Sequence, residues 1–228
     1  MKLWQIMGEL QTIFSPKIAE DWDNVGLLVG DNTREINKVL FCLDVTEKAV
    51  QKAVDNNVDL IISHHPVIFS GLKKITNETV HGRKILKLIE NKIAVYSIHT
   101  NSDFAINGLN DFIMDKLNLD GEKVIFNEHE FEDYNPIKDK MEHVHGGLAR
   151  IKILNEKMKL GDLIERIKDS LGISYVRYVG NKNSYVRKIG LVTGGGSSFM
   201  YEVANKIDVF LTGDLRYHEA LDALEEGH

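Results

Sequence analysis

The chain has 228 residues, of which 43% are hydrophobic and 27% charged, a composition typical of a soluble globular protein with one or two domains. Its formal net charge of −6 argues against a general nucleic-acid binder, because such proteins carry an excess of lysine and arginine. The single cysteine, Cys42, excludes an intrachain disulfide framework and lies in an apolar run that predicts a buried thiol. No apolar run approaches the length of a membrane span and the N-terminus lacks a signal-peptide pattern, so the sequence favours a cytoplasmic protein.

The first half of the chain alternates between helical and strand patterns. Apolar residues at helical spacing predict an amphipathic helix over residues 3–14, which stops before Ser15-Pro16. Thr46 is expected to cap a second helix, and a third is predicted around residues 84–91. Short β-branched apolar runs predict strands at residues 25–29, 39–43, 58–63 and 93–98. This order predicts a mainly parallel sheet with right-handed crossovers.

Composition changes after a predicted helix at residues 108–119. Residues 122–147 are rich in charge, have modest apolar content and end in two glycines, which favours a variable connecting segment. We therefore expect a first α/β half at residues 1–121 and a second at residues 148–228. In the second half, strands are predicted at 148–154, 175–179, 188–192 and 208–211, and helices at 159–171, from a Gly-rich turn through 206, and from 217 onward.

Two histidine-containing segments come directly after predicted strands. His64-His65-Pro66 ends one apolar run, and His99 ends the next, with Asp103 four residues later. Because successive strand residues face opposite sides of a sheet, both imidazoles of the pair reach one cluster only where the strand has ended, and Pro66 supplies that ending. Imidazole and carboxylate groups at the carboxyl ends of strands are suitable ligands for a borderline metal ion.

The residues alone leave alternatives open at these positions. Two solvated imidazoles in a loop explain the pair equally well, and Asp103 would also serve as a turn or helix-cap residue. A carboxylate has two oxygens that can bridge two metal ions, which is one role for Asp103. His99 is then either a ligand or a group that orients Asp103.

Three further polar segments are considered as parts of a binding site. The glycine turn is a phosphate cradle or a tight strand-to-helix turn, and its residues are Gly194, Gly195, Gly196 and Ser197. Asp214 and His218 follow the last predicted strand, where they line a pocket or serve as a helix cap and a helix-surface residue. The polar loop at residues 21–24 is expected to form Asx-type turns around Trp22.

Taken together, the motifs resemble a known family. In order along the chain they are Asp21-Trp-Asp-Asn-Val-Gly-Leu-Leu-Val-Gly30, Ser63-His-His-Pro66, Tyr96-Ser-Ile-His-Thr-Asn-Ser-Asp103, the turn at 194–198, and Leu211-Thr-Gly-Asp-Leu-Arg-Tyr-His218. This set resembles the Nif-three-like dinuclear-metal proteins, also called GTP cyclohydrolase 1 type 2 homologues. The resemblance covers essentially the whole chain and is weakest at residues 122–145.

The resemblance implies an α/β fold with two similar halves, mainly parallel or mixed sheets, and a metal site in the cleft between the halves. It implies two divalent ions (Zn, Fe, Mn, Co or Ni) with His64, His65 and Asp103 as ligands, and places His99 behind them. The family's remaining His and Glu ligands are expected beyond residue 228, in a strand and helix that the second half lacks. A toroidal homohexamer is also implied.

The function implied by the resemblance is that of a metal-dependent hydrolase. Metal-activated water would attack a nucleotide, as in GTP cyclohydrolases, with phosphate resting on the glycine turn. Two alternatives to this function are a two-metal phosphoesterase and a non-catalytic metal-binding scaffold or regulatory protein with protein partners.

Overall fold

A computed structural model describes residues 1–135 and 137–226, and these fall into two compact units. The first contains Met1–Ala105 and Glu130–His145, and the second contains Ile106–His129 and residues from Gly146 onward. Residues 122–147, predicted as a connecting segment, lie almost entirely within two long neighbouring strands. These strands are largely exposed where they cross this region, so no apolar run marks them in the sequence.

The first unit is built on a four-stranded mixed sheet. Its strands are β1 (Gly26–Val29), β2 (Val39–Cys42), β3 (Leu60–Ser63) and β4 (Ala94–Ser97), in the order β1-β4-β3-β2. β2, β3 and β4 are parallel, and β1 pairs antiparallel with β4. The helices are α1 (Leu3–Gln11), α2 (Glu47–Asp55), α3 (Val80–Glu90) and the short α4 (Thr100–Phe104). The predicted helices and parallel strands of this half are confirmed, with ends shifted by a few residues.

Two hydrophobic clusters cover the two faces of this sheet. Every residue of β3 and β4 is buried, which explains why both strands read as continuous apolar runs. Ile61 packs with α2 and α3 on one face, whereas Leu60 and Ile62 pack with Leu3 of α1 on the other. As predicted, Thr46 caps α2, because its side chain accepts a hydrogen bond from the Ala49 N–H at 3.0 Å.

The second sheet has the order β5-β6-β7-β8 and is also mixed. β6 and β7 are antiparallel, and β7 and β8 are parallel. The remaining elements, in chain order, are α5 (Leu109–Lys116), β5 (Gly121–Asn135), β6 (Lys140–Lys159), α6 (Leu160–Leu171), β7 (Tyr185–Leu191), α7 (Met200–Val203), β8 (Val209–Leu211) and α8 (Tyr217–Glu225). Leu163 of α6 and Ile189 of β7 are fully buried in the core of this unit.

Two predictions for the second half are wrong. Residues 175–179 form no strand: the β-prone side chain of Tyr175 is 78% exposed and has no sheet to join. The helix expected after the glycine turn is broken into a 3₁₀ turn at Gly196–Phe199, the single-turn α7, and a second 3₁₀ turn at Ala204–Lys206. Across residues 1–135 and 137–226, no helix is both long and apolar enough to cross a membrane.

Candidate metal centre

Three imidazole rings meet where β3 and β4 end. His64, His65 and His99 each offer one ring nitrogen, and these three atoms all lie within 4.8 Å of one another. The parallel register pairs Ser63 with Ser97, so the segments after both strands leave the sheet at the same edge. The pairing places His64 and His99 with ring centroids 5.1 Å apart, although they are separated by 34 residues of chain.

Hydrogen bonds fix the strand ends that carry these rings. The Ser63 hydroxyl donates to the His65 carbonyl at 2.9 Å and lies 2.9 Å from the Ser97 hydroxyl. Because the Ser63 proton is already used, Ser97 is the donor in that second bond. Beyond β2 and β3, the His65 N–H still donates to the Leu43 carbonyl at 3.0 Å. The backbone at both His64 and His65 is therefore held by hydrogen bonds to the neighbouring segment at the end of β2.

Each of the three rings has its Nδ1 atom against an oxygen acceptor. The pairs are His64 with the Ile98 carbonyl at 3.0 Å, His65 with Asp44 Oδ1 at 2.8 Å, and His99 with Asp23 Oδ1 at 2.8 Å. A carbonyl or carboxylate oxygen only accepts, so Nδ1 carries the proton in a neutral ring and Nε2 keeps its lone pair. Metal-binding histidines are oriented by this kind of contact. The donor set therefore fits a divalent ion.

The acidities of two groups support this assignment of protons. Burial by itself raises the pKa of Asp23, but hydrogen bonds from His99 and Thr100 outweigh it and lower the pKa to about 2. Burial, together with the neighbouring His99 and His65, lowers the pKa of His64 to about 4. At neutral pH Asp23 is therefore ionised and His64 is neutral, which is the protonation state that a metal ligand requires.

Asp103 lies next to the histidine cluster on α4, whose five residues are all buried. Its Oδ1 is 3.8 Å from His64 Nε2. Two donors that each lie about 2.1 Å from one ion are separated by roughly 3–4 Å, so this spacing suits two ligands of the same ion. The structure thus brings together His64, His65 and His99 and places Asp103 beside His64.

Sequence reasoning missed the two carboxylates behind the rings. Residues 21–24 are predicted to form Asx-type turns, but the N–H that donates to Asp23 Oδ1, at 2.8 Å, belongs to Asn24, one residue on, and not two residues on as in an Asx turn. The fully buried Asp23 carboxylate also accepts bonds from His99 and from the Thr100 N–H and hydroxyl. The DWDN motif draws attention to Asp23, but it does not by itself indicate that the carboxylate is buried or that it reaches His99. Asp44 carried no comparable signal.

The other candidate residues belong to the second unit. At Gly194, φ is +63°, and its carbonyl accepts hydrogen bonds from Thr212, Gly213 and Asp214. A Cβ on Gly196 would lie 2.7 Å from Val192 Cγ1, so close packing at this turn requires a glycine there. Asp214 is exposed and is not the cap of α8, which begins after Arg216, and His218 is exposed on that helix.

A buried polar network in the second unit was not anticipated. The Arg150 side chain is fully buried and its guanidinium contacts Asp111 Oδ2 at 2.9 Å. Lys123 Nζ lies 2.9 Å from Asp111 Oδ1. Asn110, the preceding residue, accepts hydrogen bonds from the Thr193 N–H and hydroxyl at 2.9 and 2.7 Å and so fixes the start of the glycine turn.

Comparison with known proteins identifies the family to which this mixed α/β fold with its histidine cluster belongs. The model of the Duf34/NIF3 (NGG1p interacting factor 3) family matches residues 1–228, and the chain belongs to this family. It is 37% identical over 229 residues to a protein of Clostridium perfringens named "GTP cyclohydrolase 1 type 2 homolog", covering 100% of this chain and 82% of that relative. It is 33% identical to "Protein NIF3 homolog" of Schizosaccharomyces pombe, covering 96% of this chain and 77% of the relative.

Solved structures agree with the fold. Staphylococcus aureus protein SA1388 is 31% identical with a TM-score of 0.83, covering 100% of this chain and 84% of that one. A Bacillus cereus protein related to NIF3 is 25% identical with a TM-score of 0.82, covering 100% and 86%. The predicted family and α/β class are therefore confirmed.

Proposed function

We propose that this protein is a dinuclear-metal-dependent hydrolase of the GTP cyclohydrolase type. The observation that carries the proposal is the convergence of three imidazoles whose Nδ1 atoms are all held by oxygen acceptors. Rings that are already held in one orientation bind an ion with less rearrangement, which lowers the free-energy cost of binding.

The chain's own residues have distinct tasks in this proposal. His64, His65 and Asp103 would hold the ions, with His99 as the third imidazole of the same cluster. Asp23 and Asp44 keep the rings of His99 and His65 in place. When bound, divalent ions supply Lewis acidity that acidifies water near neutral pH and polarises the electrophilic atom under attack. Zn, Fe, Mn, Co and Ni all suit a ligand set of imidazole and carboxylate groups.

The substrate class in this proposal is a purine nucleotide, with GTP as the first probe. Relatives carry the name "GTP cyclohydrolase 1 type 2 homolog". Water adds to the ring carbon between the two imidazole nitrogens, one carbon–nitrogen bond breaks and the ring opens to a formamide. Hydrolysis of that formamide by a second water releases formate and leaves an amine. The glycine turn at 194–198 is proposed to receive phosphate.

Formate release from GTP by the metal-loaded protein tests this function directly. His64→Ala removes one ligand, and His143→Ala is the matched control because that imidazole is 72% exposed on β6. We expect formate release from the wild type and the control and none from His64→Ala. Phosphate release without formate would replace the proposal with a phosphoesterase. If neither product formed, a metal-binding scaffold with protein partners would remain.

We also propose that the protein assembles as a toroidal homohexamer, as the family resemblance implies. Sedimentation velocity should then give a mass about six times the 25.9 kDa of one chain. A species of one chain across the accessible concentration range would contradict the proposed assembly, with no bearing on the chemistry of the histidine cluster.

A further inference from the structure

Two large aromatic side chains lie exposed directly beside the histidine cluster. Trp22 is 54% exposed and Phe69 is 52% exposed. Their ring centroids are 5.9 Å apart with an interplanar angle of 47°, so the rings are tilted rather than stacked on each other. Trp22 also meets His99 in an edge contact, with centroids 6.3 Å apart and an angle of 74°. The two aromatic rings therefore adjoin the candidate metal centre.

Both aromatic residues are held in place by polar contacts at their neighbours. The buried Asp23 carboxylate, one residue after Trp22, is bonded to His99 and Thr100. Asn24 Nδ2 donates to the carbonyl of Ile68 at 2.6 Å, which ties the segment that carries Phe69 to the same loop. The loop therefore couples the position of both aromatic rings to the ring of His99.

Exposed apolar rings in fixed positions are what a preorganised binding surface offers. Burying a tryptophan side chain is favourable in water, and a tight turn does not require an exposed indole. Here the buried contacts belong to Asp23 and Asn24, while the indole remains in solvent. A ligand that covers Trp22 and Phe69 would gain the burial without having to order the loop.

We propose that Trp22 and Phe69 form an aromatic platform that stacks the planar heterocyclic ring of the molecule bound at the histidine cluster. The inference deepens the proposed function and rests on it. A flat ring is favoured over a phosphate group because aromatic rings stack on flat rings, and because Asp21, the exposed residue before Trp22, carries a carboxylate that repels anions. A flat ring is also favoured over a protein surface, because Trp22 touches a residue of the cluster itself.

Tryptophan fluorescence tests the platform without any need for turnover. The chain contains two tryptophans, so Trp4→Phe leaves Trp22 as the only indole. Metal-free Trp4→Phe protein is titrated with GTP, ATP and UTP, and separately with tripolyphosphate and ribose 5-phosphate, which lack a base. We expect at least one nucleotide to quench Trp22 emission saturably and the two ringless compounds to have no effect.

Calorimetry on variants then shows whether the affinity for the quenching nucleotide depends on the aromatic rings of Trp22 and Phe69. Trp22→Leu and Phe69→Leu should each weaken binding by about tenfold, since stacking of one base on one aromatic ring has about this effect. Trp22→Phe keeps a ring and should restore most of the affinity. Trp4→Leu is the matched control, because Trp4 is 41% exposed on α1, and it should leave the affinity unchanged.

The proposal is overturned if no nucleotide quenches Trp22, or if the ringless compounds quench it equally. It is also overturned if Trp22→Leu and Phe69→Leu bind the nucleotide like the wild type, or if these variants only reduce the oligomer mass, which would assign the surface to a second copy of the chain. Failure of the proposed function is distinguishable: nucleotide binding that depends on Trp22, without formate release, would leave the platform standing and remove the cyclohydrolase reaction.

Discussion

Asp23 and His99 form a buried pair across 76 residues of chain, with 2.8 Å between Asp23 Oδ1 and His99 Nδ1. The Asp23 side chain has no exposed surface, and its low pKa keeps it ionised, so it accepts a hydrogen bond from His99 Nδ1 and fixes the orientation of the His99 ring. The carboxylate–histidine pair is the arrangement that orients metal ligands in proteins. This pair links the loop of residues 21–24 to the candidate metal centre.

Asp23→Asn should weaken metal binding without removing any proposed ligand. The asparagine side chain is neutral and can turn its amide N–H toward His99, which favours the wrong ring tautomer. Loss of such an orienting carboxylate typically reduces metal affinity about 10- to 100-fold. Isothermal titration with Zn²⁺ measures the change, and Asp21→Asn is the control because Asp21 is exposed in the same loop. Equal affinities for both variants would show that the Asp23–His99 bond does not orient a ligand.

The buried pair of Arg150 and Asp111 should contribute strongly to the stability of the second unit. Asp111→Asn leaves a fully buried guanidinium facing a neutral amide, and breaking such a pair costs about 3–5 kcal/mol. Urea unfolding measures this loss. Asp115→Asn is the matched control, because Asp115 also contacts Lys123 but its side chain is 61% exposed. The interpretation fails if both variants unfold at the same urea concentration.

The same pair predicts a definite pH dependence. Burial by itself raises the pKa of Asp111, but hydrogen bonds from Arg150 and Lys123 outweigh it, so the folded-state pKa lies below the usual 3.8. A carboxyl with a depressed folded-state pKa stabilises the fold above its unfolded value and loses that contribution as the pH falls through the folded value. The stability advantage of the wild type over Asp111→Asn should therefore be constant above about pH 5 and shrink progressively as the pH falls below that value. An advantage that grew on acidification would contradict this assignment.

Gly196→Ala should destabilise the glycine turn, whereas Gly195→Ala should not. A Cβ at Gly196 would lie 2.7 Å from Val192 Cγ1 and 3.1 Å from Thr212 Oγ1, whereas a Cβ at Gly195 would have no heavy atom of the described residues within 4 Å. Overpacking of this kind costs about 1–3 kcal/mol. Thermal unfolding of the two variants gives the comparison. Identical midpoints would mean that the turn relaxes around the added methyl group.

The central strands and their histidines could be predicted because their signals are local. β3 and β4 are buried on both faces, so they appear as apolar runs, and parallel pairing brings their ends to one edge. β5 and the first part of β6, residues 140–145, could not be predicted, because their residues are largely exposed and rich in charge, whereas the buried part of β6 was predicted as a strand at 148–154. At residues 175–179 the error was the reverse: a strand was predicted from β-prone side chains, but this segment does not pair with a strand of either sheet.

Contacts between distant residues account for what was missed in the site. The pattern placed His64, His65 and Asp103 together but gave no indication that Asp23 reaches His99, because the bond depends on how the loop at 21–24 packs against α4. The edge contact of Trp22 with His99 depends on the same packing. Whether a carboxylate is buried depends on tertiary packing. The sequence shows only that Asp23 follows directly after Trp22.

The most direct test of the candidate metal centre is the amount of metal that each variant retains. Wild-type protein, His64→Ala and His143→Ala are loaded with Co²⁺ or Zn²⁺, dialysed against buffer and measured by elemental analysis. The histidine cluster predicts that the wild type and His143→Ala retain equal amounts and that His64→Ala loses most of its metal. Equal retention by all three proteins, or none by the wild type, would contradict a metal centre built on His64, His65 and His99.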